Sequence, residues 1–376
     1  MKKGWSIKRL ADLLELQNGY AFDSKGFNPT DGIPLIRIRS LKAGTETETR
    51  FRGDYEKKYV VKAGDLLIGM DGEFGCYEWK GEPALLNQRV CRLQKFTGEL
   101  IPRFLFYGVN DYLKAIEDVT GYTTVKHLSS KQILEIRFPV PPLDEQKRIV
   151  AKLDEAFTGL AKAKENAEKN LQNARALFES HLQSVFTQRG PGWQSKRLDE
   201  VCAFDKAQGS HRGLPYVGLE HIESHTARFI GSAEPQIVKS TTFRFTKEHV
   251  LYGRLRPYLN KALIPKFEGH CSTEIFPLRP SRELMREYLL FWLLDNATCE
   301  RINNTSRGAR MPRAKMDEVM SFDIPLPTLD KQKRIVETLE NLRERTQRIA
   351  RIYERKHAAL EALKKSLLHQ AFAGEL

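Results

Sequence analysis

Cysteine is scarce in this chain. Cys76, Cys91, Cys202, Cys271 and Cys299 are odd in number, and no two lie closer than 15 residues. That argues against a disulfide framework or a Cys-rich metal knuckle and suits a reducing cytosol, so the expected location is cytoplasmic. Long apolar runs are missing too. The opening "MKKGWSIKRLADLLELQ" carries lysines but no apolar core of a signal peptide, and no later run is long enough to span a bilayer. Acidic residues are under-represented: 48 Asp and Glu face 61 Lys and Arg, for a net charge of +13 and a pI near 9.4. Such a surplus favours a polyanionic partner. With 41% hydrophobic and 29% charged residues over 376 positions, the chain is expected to be globular, with two or three domains.

Catalytic signatures are also lacking. There is no [DNS]-P-P-[YF] run of the kind that grips a flipped adenine, and no Gly-rich loop after a strand for S-adenosylmethionine. No GxxxxGK[ST] occurs, which excludes ATP hydrolysis by the usual phosphate loop. "YEKK" (Tyr55–Lys58) contains half of a nuclease motif, but that tripeptide is common among surface charges. "HIESH" (His221–His225) lacks the H-E-x-x-H order and reads as a solvated loop rather than a zinc site. The expectation is no catalytic residue, no metal site and no cofactor bound by this chain.

What the chain does have is a repeat. "PPLDEQKRIV" (Pro141–Val150) returns as "PTLDKQKRIV" (Pro327–Val336), an offset of 186 residues. The same offset lays "ALFESHLQSVF" (Ala176–Phe186) on "ALKKSLLHQAF" (Ala362–Phe372). Upstream, "GWSIKRL" (Gly4–Leu10) matches "GWQSKRL" (Gly192–Leu198). Two divergent blocks therefore alternate with two similar ones: residues 1–140, 141–190, 191–326 and 327–376.

Each similar block predicts one helix of roughly 45 residues, about 65–70 Å long. Pro139, Pro141 and Pro142 precede it, Asp144 and Glu145 suit its first turn, and "RGPG" (Arg189–Gly192) ends it. Its apolar stripe runs Ile149, Leu153, Ala156, Leu160, Ala163, Ala167, Leu171, Ala174, Phe178, Leu182 and Val185. The second copy runs Ile335, Leu339, Leu342, Thr346, Ile349, Tyr353, Leu360, Leu363, Leu367 and Ala371. A one-striped helix of that length needs a partner. Gap-free equal lengths favour pairing with the other copy, antiparallel and about a pseudo-twofold axis. Packing on its own domain, or dimerisation with a second chain, is the competing arrangement. The fold class is thus α+β: two α/β-type domains separated by two long antiparallel helices forming a coiled coil.

Within the divergent blocks, "PLIRIRSL" (Pro34–Leu41), "GDLLIGMDG" (Gly64–Gly72), "NQRVCRL" (Asn87–Leu93), "LPYVGLEHI" (Leu214–Ile222), "HVLYGRLRPYL" (His249–Leu259) and "IFPLRP" (Ile275–Pro280) read as strands. "PRFLFYGVNDYLKAIED" (Pro102–Asp118) and "RELMREYLLFWLLDN" (Arg282–Asn296) read as helices. Each block closes with a polar loop. "TGYTTVKHLSSK" (Thr120–Lys131) carries Lys126 and His127, and "NNTSRGARMPRAK" (Asn303–Lys315) carries Arg307, Arg310, Arg313 and Lys315 without an acid. Hydroxyls, glycine N–H groups and cations are what phosphate contacts use. "YGRLRPYLNK" (Tyr252–Lys261) interleaves Arg254, Arg256 and Lys261 with tyrosines, and fits either nucleic-acid contact or a strand with one buried aromatic face.

These features resemble the specificity subunits of Type I restriction-modification systems. The resemblance rests on "FPVPPLDEQKRIV" and "IPLPTLDKQKRIV", the helix ends "LQSVF" and "LLHQAFAGEL", and "NGYAFDSKGF", "GDLLIGMDGEFG", "LNQRV" and "RPYLNK". It covers essentially the whole chain and departs at Lys331, where such motifs carry Glu. It implies two target-recognition domains reading an asymmetric, bipartite DNA duplex, and a helical spacer between them. It further implies two docked methyltransferase subunits that bring S-adenosylmethionine to adenine N6, and an optional restriction subunit using ATP and Mg. The expected DNA contacts are Lys25, Arg37, Arg39, Arg89, Lys126, His127, Arg212, Arg254, Arg256, Lys261, Arg307, Arg310, Arg313 and Lys315. Spacer and partner contacts are expected at Asp144, Gln146, Arg148, Ile149, Leu153, Asp330, Gln332, Arg334, Ile335 and Leu339. The alternative reading is a coiled-coil scaffold whose two heads bind proteins and read no bases.

Overall fold

The structure, a computed structural model, describes residues 4–121, 126–188, 190–211, 213–306, 308 and 310–376. It divides into two compact units. One comprises Met1–Glu165 with His357–Leu376, the other Asn166–Lys356, so each long helix contributes to both.

The first unit is built on an antiparallel four-stranded sheet in the order Glu15–Asn18, Val90–Gln94, Leu66–Gly69, Gly75–Glu78. The second repeats this order with Cys202–Phe204, Ile275–Pro280, Val250–Gly253 and Ala262–Leu263. Leu66–Gly69 and Val250–Gly253 are buried at every position, which is why each reads as a continuous apolar run rather than an alternating one. Each unit also holds a second, mixed sheet of short strands, five in the first and four in the second, with one parallel pair, Leu35 beside Leu85 in the first and Tyr216 beside His270 in the second. A two-stranded ribbon closes each head: Ser6–Arg9 pairs with Arg137–Val140, and Gln194–Arg197 with Asp323–Leu326. These ribbons run through Pro139 and Pro325, which a strand paired on one side tolerates.

Several sequence expectations are corrected. "PLIRIRSL" is a strand only over Ile33–Ile36; Arg37 then caps a helical turn, Ile38–Leu41. "LPYVGLEHI" reduces to the strand Tyr216–Val217 and a 3-10 turn, Leu219–His221. "HVLYGRLRPYL" leaves the sheet after Gly253, with Arg256 at φ +51°. The second-block helix begins at Arg286 and breaks at Asp295, whose carboxylate accepts from Thr298 N–H (3.0 Å) and starts Asn296–Asn304. In the first three cases a polar or Pro-rich tail ends the apolar run, and in the helix the polar lead at 282–285 forms a turn.

The long helices span Leu143–Thr187 and Leu329–Ala373, 45 residues each. Within the first unit Arg148 donates to the Leu376 carbonyl (2.6 Å), Lys164 pairs with Glu361 (2.9 Å), and the Arg148-to-Lys164 direction opposes Glu361-to-Leu376. Within the second, Arg175 pairs with Glu354 (3.4 Å), while Leu182 and Phe186 share a core with Val336 and Leu339. The two segments in each unit are therefore antiparallel. The first helix buries or half-buries every position of the expected stripe. The second leaves Ile349 and Leu363 at 40% and 47% exposure, and Ala350, His357 and Leu368 turn inward instead. A straight helix at 3.6 residues per turn drifts from a strict 3/4 stripe, which accounts for the slip.

The helix ends are the keystones of the heads. Phe372 packs on Phe104 and Phe138 (ring centroids 4.9 and 5.9 Å), in space left by Gly108, where any Cβ would overlap its ring. Phe186, its counterpart at the 186-residue offset, packs on Tyr288 (5.4 Å). Ile149 and Leu153 are buried in the first core and Leu339 in the second, with Ile335 half-buried against it. Burying each such side chain contributes about 1.5–3 kcal/mol.

Candidate nucleic-acid interface

In each head the closing basic loop returns to the end of the central strand. In the first, Leu128 N–H donates to the Met70 carbonyl (2.7 Å) and Gly72 N–H to the Lys126 carbonyl (2.9 Å). In the second, Ala314 N–H donates to the Arg254 carbonyl (2.9 Å) and Arg256 N–H to the Pro312 carbonyl (2.7 Å). Met70 N–H reaches the Arg89 carbonyl (2.9 Å) and Arg254 N–H the Glu274 carbonyl (2.8 Å). Position by position, Met70 corresponds to Arg254, Asp71 to Leu255, Arg89 to Glu274 and His127 to Arg313. No sequence similarity shows this.

Asp71 in the first head takes His127 Nδ1 at 2.7 Å and faces Arg89 Nε at 3.5 Å. Facing a carboxylate at that distance, Nδ1 carries a proton and donates it, so the 3.3 Å approach of Arg89 Nη1 to the same nitrogen is not a hydrogen bond. Arg89 sits at φ +70°, a left-handed conformation that turns its side chain out of the strand. An open depression of about 320 Å³ is lined by Asn18, Gly19, Met70, Arg89, His127, Ser129 and Ser130. Tyr20, one residue further along, is 49% exposed.

Glu274 in the second head accepts from Arg313 Nε (2.8 Å) and faces Arg254 Nε at 3.7 Å, while the Arg254 guanidinium lies over Phe276 (5.3 Å). The loop read as acid-free is therefore neutralised in part by an acid from the turn between Gly269–Ser272 and Ile275–Pro280. Arg256 and Arg310 are exposed, with no ion pair among the described residues.

The remaining candidates are dispersed. Lys126 donates to the Glu117 carbonyl and Lys261 to the Leu219 carbonyl, both at 2.6 Å, bracing their loops. Lys315 pairs with Glu318. Lys25 is exposed, Arg37 half-buried, and Arg39 lies 3.8 Å from Glu48; no hydrogen bond or ion pair links these three to the Asp71 cluster. Arg212 and Arg307 lie outside the described residues.

The repeated "LDxQ" has an internal role that the sequence did not reveal. Gln146 is fully buried: it accepts from Ile101 N–H (2.8 Å) and donates to the carbonyls of Glu99 (2.7 Å) and Pro141 (2.8 Å). Gln332 does the same with Met285 N–H (2.9 Å), Glu283 (2.8 Å) and Pro327 (3.0 Å). Both amides fasten helix to head and offer nothing to a partner. Arg148 is tied to Glu145 (2.6 Å), whereas Asp144, Asp330 and Arg334 are exposed. Nearby, Arg103 bridges Glu78 and Asp154. Burial, reinforced by the hydrogen bond to Asp154, pushes the Tyr107 phenol up to about 12. All five cysteines are buried and free. Burial raises their thiols, Cys91 and Cys202 to about 12, so they are poor nucleophiles.

Two heads of one plan, each returning a basic loop to the end of its central strand, define a duplicated nucleic-acid-recognition protein. The family profile described as the Type I restriction modification DNA specificity domain matches twice, over residues 2–170 and 191–355. The chain belongs to this family, the DNA-specificity subunits of Type I restriction-modification systems; a scaffold without base readout is not favoured. Specificity subunits are non-catalytic components of these systems. Among its relatives is the EcoBI specificity subunit of Escherichia coli, 38% identical over 186 residues, which spans 49% of this chain and 39% of that subunit. The EcoDI specificity subunit of Escherichia coli is 23% identical over 83% of this chain and 78% of its own. In fold, the chain is similar to a solved structure from work on assembly and conformational transition of the type I R-M system (TM-score 0.75, 20% identity, 100% and 99% of the two chains). It is also similar to the HsdS subunit from Thermoanaerobacter tengcongensis (TM-score 0.56, 20% identity, 100% and 98%).

Proposed function

We propose that each unit reads one half of an asymmetric bipartite duplex target, and that the two long helices, each shared between the units, set the number of base pairs between the halves. The observation that carries this is the pair of equivalent strand-end clusters: one backbone plan holds different side chains in the two heads, as reading two different half-sites requires. Arg256 and Arg310 supply phosphate contacts, being exposed and without an ion pair among the described residues.

The chain works in the cytoplasm with two copies of a methyltransferase subunit, which carry S-adenosylmethionine and methylate adenine N6. A restriction subunit with ATP and Mg is a further partner. Exposed leucines support two equivalent docking surfaces: Leu143 and Leu329 (41% and 49% exposed), and Leu177 and Leu363 (56% and 47%), correspond pairwise at the 186-residue offset. Among the described residues no helix is long and apolar enough to cross a membrane.

Anisotropy titrations of the full chain against a random-sequence duplex over a salt series test the DNA contacts. Arg256→Ala and Arg310→Ala should each flatten the slope of log K against log salt by roughly 0.9. Unchanged slopes in both would remove these residues from the interface.

A further inference from the structure

The acid within each basic cluster is unexplained by charge attraction, because a carboxylate facing DNA opposes binding. Yet both heads have one, each held between two basic groups, and they come from different positions. In the first head the acid, Asp71, follows the central strand and Arg89 stands across from it. In the second the acid, Glu274, occupies the position equivalent to Arg89, and the arginines occupy those of Met70 and His127. A common ancestor carrying the same three residues would not leave them permuted. In both clusters the acid is the more buried member: the Asp71 side chain is 23% exposed against 55% for Arg89, and that of Glu274 27% against 39% for Arg313. Half-exposed ion pairs add little stability, so stability does not account for the recurrence.

The geometry at the arginines is specific. In Arg89, Arg254 and Arg313 alike, it is Nε that faces the carboxylate, at 3.5, 3.7 and 2.8 Å. Arg313 is fixed in plane, donating from Nε to Glu274 and from Nη1 to the Met311 carbonyl (3.3 Å), whereas Arg89 and Arg254 are drawn to their acids at ion-pair distance. A planar fork with fixed orientation is what bidentate reading of guanine O6 and N7 requires, and a lysine or a freely rotating arginine does not supply it. His127, donating from Nδ1 to Asp71, is held in one ring orientation with Nε2 on the edge away from the carboxylate, a single polar atom that can meet a base edge.

We propose that Asp71 and Glu274 are the positioning residues for base readout, one per half-site. Asp71 orients Arg89 and His127, Glu274 orients Arg313 and Arg254, and the oriented arginines read guanine in the major groove. This rests on the DNA-reading function proposed above.

The test is selection from a randomised duplex library with the full chain and with Asp71→Asn and Glu274→Gln, each checked for unaltered thermal unfolding. Wild type should yield one bipartite consensus with guanine in both halves. Glu274→Gln should relax one half only, its preference for consensus over the changed base falling roughly ten- to a hundredfold, and Asp71→Asn should relax the other half. Arg313→Lys, which keeps the charge and loses the fork, should relax the same half as Glu274→Gln. An unchanged consensus in both acid variants overturns the proposal. So does tighter binding to all sequences alike, which would show the acids to be repulsive charges only. If wild type itself selects no consensus, the DNA-reading function fails first, and the two failures are distinct.

Discussion

Replacing Gln146 with methionine keeps the volume of the side chain but removes its amide. Three backbone groups then lose their partner at once: Ile101 N–H, left at the start of the helix Pro102–Val119, and the carbonyls of Glu99 and Pro141. The side chain has no solvent exposure, so water cannot replace it without opening the junction. At roughly 1–3 kcal/mol for each group left unpaired, and allowing for relaxation, the loss is about 3–6 kcal/mol. That is a large part of the 5–15 kcal/mol by which domains are typically stable. Urea unfolding followed by circular dichroism reads the shift, and amide exchange locates it. Exchange should accelerate across Pro102–Val119 in Gln146→Met, and across Arg286–Leu294 in Gln332→Met. A loss under about 1 kcal/mol, or equal acceleration of both segments by either variant, would refute the view that each amide fastens its own head.

Further outcomes are expected. Inserting a heptad at matched positions in both long helices adds about 10 Å, close to three base pairs, while turning the duplex by about 100° between half-sites; the original target should be lost, and methylation of the original site would contradict the spacer role. Gly108→Ala should cost about 1–3 kcal/mol by overpacking on Phe372, and Phe372→Leu in the same chain should recover part of it; additive losses in unfolding titrations would exclude this contact as the cause. The Lys114 ammonium, helped by Phe74 N–H, holds the Glu117 carboxyl below its ordinary value of 4.5. Its contribution is therefore present above that value and lost as pH falls through the lower folded value, so Glu117→Gln should flatten the acid side of the stability–pH curve, and parallel curves would contradict it. Exchanging residues 191–326 for another recognition block should change one half-site only; a change in both would show that the heads do not read independently.

The repeat made the architecture legible. Matched helices of 45 residues, the heads between them and the Pro-rich junctions follow from spacing alone, because an apolar stripe that long must be buried against something. Strand ends were less legible. Arg37 and Arg256 follow apolar runs directly, and only local backbone geometry shows that the chain has turned away from the sheet there. The recognition clusters were half visible. Basic loops are plain in a sequence, but Glu274 lies 39 positions from Arg313 and Asp71 56 from His127, so the acids beside them come from strand-end turns distant in the chain. Gln146 looked like a surface residue beside Asp144 and Lys147, and one turn of helix carries it into the core.

The account stands on two different heads reading one divided target. Mapping methylated bases genome-wide, in cells expressing this chain with its methyltransferase subunit and in cells lacking the chain, tests that directly. The account predicts a single asymmetric motif, two unlike halves at one fixed spacing with an adenine modified in each, present only with the chain. A palindromic motif, a variable spacing, or an unaltered pattern when the chain is removed would contradict it.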